Sequence, residues 1–254
     1  MPDVAPPVIT PRGAKIEPSA GAPFEAVRVA RDVLHTSRTA ALATLDPVSG
    51  YPYTTATNIG IEPDGTPFFF AAGLTLHARN MEADPRISLT LAPFGKGDAL
   101  TLRRLTLVGK VEQLGPDETQ LAIRRYIARY PKAKLYLSLP DTRLYRLRTE
   151  GVQINGGPAR NASNITPADL RTDLSGAAEL MAVVESETTR LNAIKGEASR
   201  LAVLAGAKAG RWTITSIDPD GIDLASASDL ARLWFAERVT ALNELEQRIA
   251  PIAE

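Results

Sequence analysis

Thr75, His77, Arg79 and Asn80 lie within six positions of one another in "GLTLHARNMEADPRISL", residues 73 to 89, and His77 is one of only two histidines in the 254-residue chain. The stretch reads as one short helix, about 75 to 84, between two strand-like runs, and Asp84-Pro85 stops it. A helix N-terminus offers unpaired backbone N–H groups and the positive end of the helix dipole, so an anion is favoured there. A hydroxyl and a cation on the first turn complete the cradle with charge-assisted hydrogen bonds. With an unperturbed pKa of about 6.5, a histidine serving as that cation is at best half charged near neutrality. The competing reading is structural: His77, Arg79 and Asn80 cap the turn and bond strand-end carbonyls across a subunit interface.

Other chemistries are narrowed by what the chain lacks. It has no cysteine, which excludes disulfides, thiolate zinc sites, cysteine-held iron–sulfur clusters and a cysteine nucleophile. Two histidines leave little room for a multi-histidine metal site. The dinucleotide, Walker, nucleophile-elbow and zinc-protease motifs are absent, and no residue reads as a dedicated general base. Lys plus Arg and Asp plus Glu both count 29, so no overall basic field draws nucleic acid or an anionic membrane. No apolar run approaches a membrane span, no signal peptide is recognisable, and the expectation is a cytoplasmic protein.

Two further patterns have a functional and a plainer reading. "DPDGIDL" (218–224) begins like a calcium loop but lacks the closing bidentate Glu, and a hairpin turn explains the same letters. "PDETQLAIRRYIARYPKAK" carries Arg124, Arg125, Arg129, Lys132 and Lys134, which reads either as a surface for an anionic partner or as a solvated helix face. His35, at the end of a first helix, reads as a group near the last carbonyls.

The elements that position the 73–89 stretch follow from periodicity. Residues 1–22 form a proline-rich arm, with Pro2, Pro6, Pro7, Pro11 and Pro18. After a helix opened by Pro23, "RTAALATLD", "YPYTTATNIGIE" and "TPFFFAA" read as a tight antiparallel meander. "RISLTLAP", "ALTLRRLTLVGKVEQLG" and "DTRLYRLRTEGVQING" resume the strands. About six strands with short helices predict a small barrel over 23–160. "GGPARNASNITPADL" reads as a linker, and 161–254 as an α-β-β-α domain: a long helix near 174–207, a hairpin, and a final helix over "DLARLWFAERVTALNELEQRIAPI". The expected class is α+β: a six-stranded antiparallel split β-barrel with short helices plus the smaller C-terminal domain.

Taken in order, "YPYTTATNIGIEPDGTPFFFAAGLTLHARNMEADPRISLTL", "RRLTLVGKVEQL", "RYIARYPKAKLYLSLPDTRLYRL", "QINGGPAR" and "SIDPDGIDL...ARLWFAERV" resemble successive motifs of the heme-utilisation proteins. These belong to the pyridoxamine 5'-phosphate oxidase-like, flavin-binding split-barrel superfamily, and the resemblance spans roughly residues 24–250. It implies a homodimer with two cofactor clefts, each built from both subunits. It also implies an FMN phosphate near the 73–89 stretch, with Thr75 at a hydroxyl position, His77 where lysine is usual, and Arg79 and Asn80 following. Thr54 and Arg104 complete the implied cofactor-binding set.

Departures from that pattern define the readings. Ala72 and Ala78 replace hydroxyl residues, Thr54 and Ile59 stand where flavin oxidases place basic ones, and Pro158 and Ala159 interrupt a Gly-Gly-Phe-Gly-Arg-Ala run. No histidine follows residue 77, so the C-terminal heme ligand of heme-degrading members is missing. The leading expectation is an FMN- or related cofactor-binding protein, an FMN-dependent oxidoreductase if it is an enzyme. The alternative is a non-catalytic module binding heme, another tetrapyrrole or a protein, and heme degradation ranks third.

Overall fold

The computed structural model describes residue 9 and residues 24–93, 98–158, 160–162 and 165–250. The proline-rich arm expected over 1–22 lies, apart from residue 9, outside the described residues. Two compact units are assembled from interleaved segments: Met1–Ile59, Phe69–Leu114 and Asp141–Leu170 form the first, and Gly60–Phe68, Gly115–Pro140 and Arg171–Glu254 the second.

In the first unit, α1 (Ala26–Thr36) precedes the paired strands β1 (Thr39–Leu45) and β2 (Pro52–Asn58). The segment Gly60–Phe68, which holds β3 (Gly60–Ile61) and the start of β4 (Pro67–Ala72), is assigned to the second unit, and the first continues with the rest of β4, α2 (Leu76–Ala83), β5 (Arg86–Leu91), β6 (Arg104–Gln113), β7 (Thr142–Asn155) and β8 (Asn161–Ala162). The strand order is β2-β1-β5-β6-β7-β4-β3, with β8 on β7. Only Ile59 separates β2 from β3, yet these strands stand at opposite ends of the order. The antiparallel sheet must therefore curl toward closure, a half-barrel in keeping with the split β-barrel expected from the sequence. The expected middle strand of the meander is thus two strands, one pairing with β1 and the other with β4.

Alternation drives this sheet: in β1 the residues Ala40, Leu42 and Thr44 are buried while their neighbours are half-exposed. Leu89 and Leu91 of β5, Leu105 and Leu107 of β6, and Leu147, Val152 and Ile154 of β7 fill the interior. The β6–β7 ladder contains a bulge, where Val108 pairs with Gly151 and Gly109 with Thr149.

The second unit contains α3 (Pro116–Arg129), α4 (Lys134–Leu137), α5 (Ala178–Ala193), α6 (Glu197–Leu204), β9 (Thr213–Asp218), β10 (Gly221–Ala225), β11 (Leu230–Trp234) and α7 (Leu242–Ile249). Pro116 and the acids Asp117 and Glu118 open α3 as expected, and the Glu118 carboxylate accepts the Gly115 N–H at 3.3 Å. Leu180, Val184, Leu191, Leu201, Ile214, Ile217, Ile222 and Leu245 form its core.

Two expectations are corrected here. The long helix is two helices, because Gly196 takes φ +84 and turns the chain between α5 and α6. Ile194 is 45% exposed at that break. The final helix begins only at Leu242, and Leu230–Trp234 forms a third strand antiparallel to β10. The unit is therefore α-α-β-β-β-α around a three-stranded sheet, with α3 in addition.

The third strand is decided by Arg232, whose side chain is 0% exposed. Its Nη2 donates to Asp218 Oδ1 at 2.7 Å and its Nη1 to Asp223 Oδ1 at 2.9 Å, and the guanidinium lies 4.1 Å from the centre of the Trp234 ring. Asp218 Oδ1 also accepts the Asp220 N–H at 2.9 Å, and Asp218 pairs with Gly221 across a two-residue hairpin turn. Asp218 and Asp223 of "DPDGIDL" thus hold an arginine, and no cluster suited to a metal ion exists among the described residues. No helix among the described residues is long and apolar enough to cross a membrane.

Candidate functional site

The first turn of α2 follows directly from β4 through Gly73 and Leu74. Thr75 is the N-cap: its backbone is extended, and its hydroxyl accepts the Ala78 N–H at 3.4 Å and donates to the Ala72 carbonyl at 2.7 Å. The N–H groups of Leu76 and His77, as first helical residues, have no helical acceptor. His77 Nε2 lies 3.3 Å from Thr75 Oγ1, so imidazole and hydroxyl meet at this turn. Arg79 is exposed on the same helix. At the far end, Arg86 Nε donates to both Asp84 oxygens at 2.9 and 3.1 Å, holding that carboxyl at about 2 and fixing the helix exit.

Partial burial pushes the His77 imidazole below its ordinary value. The ring is therefore neutral at neutral pH and becomes a cation only in acid. The folded protein then binds fewer protons here than the unfolded chain, so the stability tied to this group is present above about pH 6.5 and lost as pH falls through the folded value.

Asn80 faces elsewhere. It is 1% exposed, and its Nδ2 donates to the hydroxyl of Thr44, also 1% exposed, at 3.0 Å. The Thr44 hydroxyl in turn reaches the Tyr53 carbonyl at 3.5 Å, so this chain of contacts fastens α2 to β1 and β2. Thr44 was not a sequence candidate, because 36 positions separate it from Asn80 and no local pattern links them. Thr44→Val should lower stability by about 1–3 kcal/mol, since a buried amide loses its acceptor. Denaturant unfolding checks this.

Thr54 lies on the exposed side of β2 and pairs with Ala43. Paired residues share a face of the sheet, so Thr54 points away from the side on which Thr44 meets Asn80. Ala43 pairs with Ser88, and Ser88 with Val108, which places Arg104 three strands away and four residues along β6. The ladder spacings put Thr54 and Arg104 roughly 20 Å apart along the sheet. Arg104 Nη1 donates to the Ala99 carbonyl at 2.9 Å. One protomer thus brings Thr75 and His77 together, keeps Arg79 on the same helix, commits Asn80 to the barrel interior, and leaves Thr54 and Arg104 apart on the outer face.

That outer face is built from small and hydroxyl side chains. Ala43, Ser88, Thr90, Thr106 and Val108 share it and are half-exposed, with the Thr90 and Thr106 hydroxyls 3.3 Å apart. The "GGPAR" segment turns the chain out of β7: Gly157 N–H donates to Asn155 Oδ1 at 2.9 Å, Gly156 N–H donates to the Arg160 carbonyl at 2.7 Å, and Gly156 lies against the Phe24 ring. Ala159 lies outside the described residues. His35, the other histidine, is buried at the end of α1.

The family model for pyridoxamine 5'-phosphate oxidase matches residues 27–156. The chain is similar to the crystal structure of Atu2129 from Agrobacterium tumefaciens str. C58, a protein of unknown function: identity is 83%, 98% of this chain and 100% of that chain are covered, and the TM-score is 0.88. It also shares its fold with a heme binding protein from Mycobacterium smegmatis, at 23% identity, 90% and 96% coverage and a TM-score of 0.54. Among curated proteins, none matches the chain.

Proposed function

From the premise that this chain belongs to the pyridoxamine 5'-phosphate oxidase family, we propose that it binds a flavin through its phosphate at the first turn of α2. The observation carrying this reading is the Thr75–His77 pair, 3.3 Å apart, on a turn whose first N–H groups have no helical acceptor. Thr75, His77 and the exposed Arg79 would hold the phosphate of FMN. The flavin, when bound, supplies redox chemistry, and this chain supplies binding and orientation. Asn80 acts indirectly by fixing α2 on the barrel. Thr54 and Arg104, apart in one protomer, serve a shared cleft only if a second copy brings its own face alongside, so a homodimer belongs to this proposal. An FMN-dependent oxidoreductase is the activity this reading supports.

A second reading is a non-catalytic module that keeps the fold and binds a tetrapyrrole or a protein. It is favoured by a neutral His77, by the commitment of Asn80 to Thr44, and by the absence of any histidine after residue 77. The visible spectrum of the purified protein, followed by titration with FMN and with hemin, separates the two. Saturable FMN binding near neutral pH supports the flavin reading. Binding of hemin alone, or of neither, favours the module. His77→Lys should tighten FMN by roughly three- to tenfold at mildly alkaline pH, since a permanent cation replaces a neutral ring.

A further inference from the structure

A cavity of about 210 Å³ opens in the second unit between α3, α5 and β9. Arg124 and Arg125 line it from α3, Glu185, Thr188 and Asn192 from α5, and Ser216 from β9. One wall is pinned: Asn192 Nδ2 donates to the Ile214 carbonyl and Asn192 Oδ1 accepts the Ile214 N–H, both at 2.9 Å. At about 210 Å³ the space falls below the roughly 300–1,000 Å³ usual for drug-sized ligands, which suits a small anion rather than a nucleotide or a heme.

Its charges are poorly matched. Arg124 Nε and Arg125 Nε lie 3.7 and 3.8 Å from the two oxygens of the one Glu185 carboxylate, beyond hydrogen-bonding distance. Elsewhere in the same unit, Arg190 closes two hydrogen bonds on Glu187, at 2.8 and 2.6 Å, and Arg200 two on Glu197, at 2.8 and 2.5 Å. Arg125 is the more enclosed of the pair, with a side chain 14% exposed against 61% for Arg124. Burial pushes its guanidinium down from the ordinary value, while Glu185, Glu62 and Asp64 oppose the shift. Asp64 is itself engaged by Arg171. The Thr188 hydroxyl oxygen is buried with no hydrogen-bond partner, a state that a bound hydrogen-bonding ligand would relieve.

We propose that this cavity is a second binding site, for a small phosphate-bearing anion gripped by Arg124, Arg125 and the Thr188 hydroxyl, with Glu185 the internal carboxylate that the anion displaces. Guanidinium forks and a hydroxyl donor suit a tetrahedral oxyanion, and two arginines on adjacent helical positions can share its oxygens. The basic run of α3 then divides between the solvated face expected from its composition and two arginines turned inward, Arg125 at this cavity and Arg129, which is buried at the end of the helix.

Calorimetric titration of the full chain with inorganic phosphate tests this, with acetate as the carboxylate comparator. The same titrations in a His77→Ala background separate this site from the turn of α2. Phosphate is expected to saturate one site per chain in that background and to bind more tightly than acetate. Glu185→Gln should tighten phosphate about tenfold by removing the competing charge, a gain that misfolding cannot produce. Arg125→Gln should weaken it at least about tenfold, and Thr188→Val roughly threefold without lowering the melting temperature. The proposal is overturned if phosphate fails to saturate a site even in Glu185→Gln, if acetate binds as well as phosphate, or if neither Arg125→Gln nor Thr188→Val changes its affinity. Because His77→Ala leaves this site intact, its failure is distinguishable from failure of the flavin reading.

Discussion

Arg232→Met should destabilise the protein by about 3–5 kcal/mol, enough to unfold a marginal domain, because it strands two buried carboxylates. The guanidinium is fully enclosed, bonded to Asp218 and Asp223 and stacked on Trp234, and it joins β9, β10 and β11. Burial alone would push Arg232 down, yet the two carboxylates outweigh it and raise its pKa above the ordinary value. In the variant, Asp218 and Asp223 remain buried without the cation that pairs them. Adding Asp223→Asn should recover part of the loss at neutral pH, since one stranded charge is gone. Urea unfolding of the single and double variants checks both statements, and no recovery in the double variant would contradict the stranded-charge account.

Gly109→Ala should cost at least about 2–3 kcal/mol and disturb the β6–β7 ladder. A Cβ at this position would lie 2.0 Å from the Arg148 carbonyl oxygen and 3.1 Å from the Glu150 N, both backbone atoms beside the bulge. No side-chain rotation relieves that contact, so one strand must move off the other. Gly73→Ala is the matched control, because its Cβ would meet nothing closer than 3.5 Å and should stay within about 0.5 kcal/mol of the parent. Thermal unfolding of the two variants side by side measures the difference.

The barrel was legible because its strands alternate: "TAALATL" buries Ala40, Leu42 and Thr44 as its period of two requires. The turn of α2 was legible too, through a hydroxyl N-cap and Asp84-Pro85 at the exit. The strand β11 was not. Leu230, Leu233 and Arg232 are compatible with helical spacing, and only pairing with carboxylates 9 and 14 positions away makes the segment extended. The break at Gly196 was hidden by an apolar repeat that continues on both sides of it, in Leu191 and Leu201. Within the candidate site, Thr75 and His77 stand two positions apart in sequence and meet on one turn. Local sequence could not assign Asn80 to Thr44, nor show that Thr54 and Arg104 lie far apart on the sheet, because both follow from long-range pairing and register.

The most direct test of the central claim is the FMN dissociation constant measured by flavin fluorescence across mildly acidic to mildly alkaline pH, for the parent chain and His77→Ala. A ring held below its ordinary pKa by burial should tighten the phosphate as it gains its proton. The affinity of the parent chain relative to His77→Ala is therefore predicted to rise as pH falls below about 6.5, by up to about tenfold, over the trend that the FMN phosphate's own titration near pH 6 imposes on both. Identical profiles for the two proteins, or no saturable FMN binding at any pH, would contradict the assignment of the flavin phosphate to the first turn of α2.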